Sequence, residues 1–296
     1  MNWLIEPFTH EFMQRALMGG ALIGFTNGFL GAFVVLRRLA LMADSLSHSM
    51  LPGLALGVMF FGLSLSALFV GGLFAALFVA LGAQVVARSS RLKEDTALAI
   101  LYTVAVSLGL VLLTFVKTRV SLNHYLFGNI LGLADADLWL AYVVALIAVP
   151  LLAALQRPYL LLLFEPAVAR SQSIRTGLLN FLLIMLLVVT MVSSVQAVGV
   201  ILMLGLLIAP AATVYLLCDS FPAMLWGGGA IGAIGSVGGL VLSYRISNLP
   251  SGAAIVLVLG AIFVVAWIFS PRYGLVRRFA HRRHFHEESL ARWPRK

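Results

Sequence analysis

An all-α membrane fold, a polytopic bundle of eight or nine transmembrane helices, is what this sequence predicts, on three observations. Of 296 residues, 61% are hydrophobic and 10% are charged, against about 25% charged in a soluble domain whose surface must face water. The apolar residues come in runs that reach the roughly 20 residues of helix needed to cross a hydrocarbon core about 30 Å thick. Those runs, such as 141–155 and 255–269, are continuous, whereas the strands of a membrane barrel alternate. A water-soluble enzyme or binding module is excluded by the same numbers.

Taken in order, the apolar segments lie near 16–36, 39–61, 63–86, 97–116, 138–155, 178–195, 198–218, 223–243 and 252–270. The residues before the first have no basic region of the kind that opens a cleavable signal, so the first span is expected to act as its own insertion signal. It carries Gly20, Gly24 and Gly28 at four-residue spacing, and the eighth carries Gly228/Gly232 and Gly235/Gly239. Lipid gives helices no hydrophobic reason to associate, so such small residues read as close packing seams within the chain. The single cysteine, Cys218, leaves no intramolecular disulfide and reads as a small packing residue.

Basic residues cluster at 37–38, 88–93, 157–175 and after 271. A nine-pass path puts all four on one side, the cytoplasmic one by the positive-inside rule, with Lys117 and Arg119 as exceptions. Residues 1–275 read as one transmembrane domain and 276–296 as a basic, histidine-containing cytoplasmic tail. Eight Lys/Arg and two Glu in 272–296 account for +6 of the net charge of +9. This excess points to a lipid surface, and no folded basic module supports nucleic-acid binding. The tail histidines, His281, His284 and His286, are read as part of that surface.

The second span breaks the apolar rule. It places Asp44 and His48 in a hydrophobic helix, where ionisable groups are costly and mark a site or pathway by default. Residues four apart share a helix face, and Ser47 is expected beside them. Carboxylate oxygen with imidazole nitrogen suits zinc, manganese or ferrous iron. Pro52 removes a backbone donor and Gly53 relaxes the dihedrals, so a break is expected just past His48. Two residues are too few to hold a metal, but a two-fold dimer would bring two Asp and two His together.

The run Asp44-Ser-Leu-Ser-His48-Ser-Met-Leu-Pro52-Gly53 resembles the signature of the ABC-type zinc/manganese/iron permeases. Four further segments match that family in order: Tyr125-Leu-Phe-Gly-Asn129, Phe164-Glu-Pro-Ala-Val-Ala-Arg170, Gln196-Ala-Val-Gly199 leading to Leu207-Ile-Ala-Pro-Ala-Ala-Thr213, and Leu249-Pro-Ser-Gly-Ala-Ala-Ile-Val256. The resemblance implies a homodimer with the pathway at its two-fold axis, in a bacterial inner membrane. It implies cytoplasmic ABC ATPase subunits and an extracytoplasmic metal-binding protein as partners. By the same resemblance, Asp44 and His48 match the intramembrane metal-coordinating pair, and Phe164, Glu165, Pro166, Ala169 and Arg170 begin the ATPase-coupling segment. Ala43 and Ser49 depart from the residues frequent at those positions, as do Gln172 and Ser173. No cofactor is expected to be bound permanently; manganese, zinc or iron is cargo.

Independently of the resemblance, Pro158 and Pro166 punctuate a polar loop from 156 to 177 with a short helix from Pro166 toward Ile174. No GxxxxGK[ST] occurs, so the chain does not cradle a nucleotide itself. Glu94 and Asp95 read as helix N-terminal carboxylates, Asp135 and Asp137 as solvated charges of an outer loop, and His124 as a neighbour of Asn123 in that loop. An intramembrane protease is excluded for want of HExxH or a second deep Asp. The alternative is an ion-coupled metal transporter or channel that uses the same pair without an ATPase.

Overall fold

The computed structural model describes residues 10–116, 130–172, 174–246, 249–270 and 274. Lys117, Arg119, His124, the Tyr125–Asn129 motif, Ser173 and the tail histidines lie outside them. The described residues form twelve α-helices: α1 (Glu11–Leu36), α2 (Ala40–Ser49), α3 (Leu51–Phe61), α4 (Leu65–Ser89), α5 (Glu94–Phe115), α6 (Asp135–Ala154), α7 (Gln156–Phe164), α8 (Pro166–Ser171), α9 (Thr176–Val198), α10 (Val200–Leu217), α11 (Phe221–Arg245) and α12 (Ser251–Phe269). A single 3₁₀ turn, Ile130–Gly132, precedes α6.

Eight of these, α1, α4, α5, α6, α9, α10, α11 and α12, are long and apolar enough to cross a membrane. The second segment, 39–61, is two helices and not one: α2 and α3 meet at Met50. The broken pair accounts for the choice between eight and nine spans.

The glycines of α1 build the centre. A Cβ on Gly24 or Gly28 would meet the carbonyls of Gly232 and Gly228, and one on Gly31 would meet that of Leu207. As numbers rise along α1 they fall along α11, so the two run antiparallel with backbones in contact. The glycine seam is therefore internal to the chain, while Gly235 and Gly239 receive Leu259 and Ile255 of α12. At membrane depth the amide of Asn27, fully buried, donates to the Ile23 carbonyl (2.9 Å) and to Ser194 Oγ on α9 (2.7 Å). Phe74, Phe78, Val104 and Leu108 of α4 and α5 are exposed, as residues that face hydrocarbon must be.

The turns are tight. α1 closes with Leu39 N–H on the Val34 carbonyl and Arg38 N–H on that of Val35. This is the Schellman pattern, with Arg38 at φ +58° where glycine is usual. α9 and α10 are joined by Gly199 alone, at φ +82°.

Two expectations need correction. Asp135 and Asp137 are not loop charges: they form the first turn of α6, where the positive end of the helix dipole favours them. Asp137 Oδ2 accepts from Ala134 N–H (3.1 Å), and Asp135 lies 3.4 Å from Arg15 of α1. Asp137→Ala is expected to cost about 0.5–1 kcal/mol, seen as a lowered melting temperature of the detergent-solubilised chain. The segment 156–164, expected as loop, is helical because Pro158 falls in its first turn, where the missing N–H has no partner to lose.

Candidate functional site

α2 ends where its own side chains work against it. Ser45, Ser47 and Ser49 each bond back to a carbonyl three or four residues earlier, those of Leu41, Asp44 and Leu46. Such back-bonding competes with the helix ladder. Pro52 then lacks the N–H that the His48 carbonyl would receive. Gly53 does something other than relax the dihedrals: a Cβ there would meet the Gly71 carbonyl of α4, so it lets α3 and α4 touch.

On α2, His48 Nε2 stands 3.8 Å from Asp44 Oδ1, with side chains 35% and 53% exposed respectively. The pair lies on the open side of the chain, in line with exposed Leu41, and Leu56, Met59 and Phe60 are exposed further along the broken segment. Ser47 was expected beside the pair, but it is fully buried, on the inward side of α2. Met42, Leu46 and Met50 bury the same inward side. Among the described residues no three His, Cys, Asp or Glu gather to hold a metal. Among the described residues, Asp44 and His48 are therefore a pair without a third candidate donor beside them. A cavity of about 890 Å³ between α3, α4 and α5, lined by Phe60, Phe74, Phe78 and Leu101 among others, is apolar and fits hydrocarbon better than an ion.

At the end of the bundle where α1 turns into α2, the residues expected to meet an ATPase behave differently from one another. Phe164, Glu165, Pro166 and Arg170 are exposed, whereas Ala169 is fully buried and anchors α8. Glu94 and Asp95 occupy the first turn of α5, as expected, and are exposed.

Sequence reasoning assigned Arg37 to topology alone, and its local partners were missed. Its Nη1 donates to Asn180 Oδ1 of α9 (2.8 Å), and its guanidinium sits 5.7 Å from the ring centroid of Tyr159 on α7. Tyr159 is 2% exposed, and its hydroxyl donates to the Leu179 carbonyl (2.8 Å). Burial pushes the Tyr159 phenol up to about 12, with Arg37 pulling the other way. Burial also lowers Arg37 from its ordinary value, opposed by Tyr159 and Glu94, yet a guanidinium stays charged. The available signal was an arginine pair directly after an apolar span, but its partners lie over a hundred positions away.

Comparison with known proteins places this geometry among relatives. The sequence model of the family described as the ABC 3 transport family matches residues 9–270. The chain is 37% identical to a manganese transport system membrane protein, MntC, of Listeria monocytogenes, over 93% of this chain and 97% of that one. It is 37% identical to a probable iron transport system membrane protein of Haemophilus influenzae, over 91% and 97%. Among solved structures it is similar to PsaBC from Streptococcus pneumoniae in complex with Fab, with a TM-score of 0.81 and 31% identity, covering 92% of this chain and 96% of that one.

Proposed function

The chain belongs to the ABC 3 transport family, as a multi-pass transport subunit without a nucleotide-binding domain, and from that premise we propose that it is the permease of an ATP-driven importer of divalent transition metal ions. Manganese is the leading cargo, supported by the relatives named for manganese, with iron and zinc as the other candidates. One observation carries the reading: a carboxylate and an imidazole stand together, half-exposed, on a broken helix within an apolar membrane segment. Left against lipid, that face is costly. Set against its own copy across a two-fold axis, it becomes a site of two carboxylates and two imidazoles, a donor number suited to a transition metal.

In that assembly the carboxylates supply charge to offset the cation, and the neutral imidazoles supply borderline-soft nitrogen. The break at Met50 lets the outer half of the segment, α3, move without unwinding α2. A metal-binding protein outside the bacterial inner membrane delivers the ion, and a separate ABC ATPase docks on the exposed residues from Phe164 to Arg170.

The test is stoichiometry with transport. In vesicles holding the chain with the ATPase that co-purifies with it, Mn²⁺ uptake is expected to require ATP. Equilibrium binding of Mn²⁺ to the same complex is expected to saturate at one ion per two chains. Uptake driven by a gradient without ATP, or one ion bound per chain, overturns the reading.

A further inference from the structure

We propose that Arg37 and Tyr159 are positioning residues that carry movement of the exposed α8 segment to the metal-bearing helix α2. The inference rests on the function proposed above and assigns a route to it.

Each link is a contact of this chain. α8 follows α7 after one residue, Glu165, and is held by Ala169, which is fully buried and whose carbonyl accepts from Ile174 N–H. α7 is fastened inward by Tyr159. Its hydroxyl is bonded to α9, and its ring meets Phe33 of α1 edge-on at 5.3 Å. Leu160 and Leu163 share a crevice with Phe33, Leu36 and Phe221. The guanidinium of Arg37 closes the cluster, over the Tyr159 ring on one side and bonded to Asn180 on the other.

Arg37 is also the first residue of the turn into α2. Two backbone hydrogen bonds and the left-handed Arg38 make that turn stiff. The Leu39 carbonyl then accepts from Ala43 N–H, so the turn runs directly into the helix that holds Asp44 and His48. Asn180 lies on α9, whose Val192 packs near Gly72, as does Met50 at the break. A displacement of α7 therefore reaches α2 through a turn of three residues, and reaches the break through α9. A desolvated cation on an aromatic face holds its geometry better than an apolar contact, because leaving the ring exposes the charge to a poorer environment.

The experiment uses the chain with its co-purifying ATPase in vesicles and reads Mn²⁺ transported per ATP hydrolysed. Arg37→Ala and Tyr159→Leu are each expected to lower that ratio at least about five-fold, while equilibrium Mn²⁺ binding stays within two-fold of wild type. The double variant is expected to fall no further than either single one, as residues of one unit do. Tyr159→Phe keeps the ring and is expected to retain most of the ratio. If Arg37→Ala does not assemble, Asn180→Ala, which releases one side of the guanidinium, is expected to lower the ratio in its place. An unchanged ratio in assembled variants overturns the proposal, as does a loss of Mn²⁺ binding in parallel with uptake. Absence of ATP-dependent uptake by the wild type would instead overturn the function on which it rests.

Discussion

Mn²⁺ uptake by the Asp44→Ala, His48→Ala double variant is expected to fall at least about 100-fold, since loss of second-shell partners alone costs 10–100-fold at metal sites. The chain itself should survive the change. Both side chains are partly exposed, and Met42, Leu46 and Met50 are the residues that bury the inward side of α2. Folded yield, helical content and association with the ATPase are therefore expected to match the wild type, and that separates a lost site from a lost fold. Asp44→Asn, which keeps the oxygen donor and removes the charge, is expected to fall between the two. Full uptake by the double variant would sink the Asp/His site whatever else holds for the transporter.

Gly28→Leu is expected to do the reverse: it touches no donor group, yet it removes the folded chain. A Cβ at Gly28 lands on the backbone of Gly228, which cannot turn aside as a side-chain end can. Either α1 and α11 separate, opening the contact at Gly24/Gly232 with it, or the strain stays in place. Overpacking a well-filled core costs about 1–3 kcal/mol and sometimes more, and a native protein has only about 5–15 kcal/mol in total. Gly260 has nothing within 4 Å of its Cβ position, so Gly260→Leu is the control. Size-exclusion chromatography after detergent extraction should recover the control and lose Gly28→Leu.

Much of this architecture was legible in the chain because membrane depth is written in run length. Eight of the apolar runs became single helices and the second became a broken pair, and the glycine spacing in the first and eighth runs marked both as close-packing. The interrupted helix was legible too, since an Asp, a His and a Pro in one apolar segment each violate the same solvent rule. What stayed hidden depends on rotation and on distant partners. Ser47 is one position from His48, and only the packing of α2 shows that it turns inward. Asn27 and Ser194 are each a polar residue in an apolar span, but nothing in one dimension pairs them. Arg37 read as a topology marker because its ring and amide partners come from residues 159 and 180.

The seam between α1 and α11 also has a consequence for how the chain is made. α1 leaves the ribosome early, whereas its antiparallel partner is the penultimate span, some two hundred residues later. Through most of synthesis the bare backbone at Gly24 and Gly28 lacks its α11 partner, and until α9 is made the Asn27 amide has only the Ile23 carbonyl of its own helix; a polar group short of partners in hydrocarbon is costly. Closing so long a separation makes assembly slow. The α1–α11 seam can close only once α11 has been made, so the centre of this bundle is among the last contacts of the described helices to form.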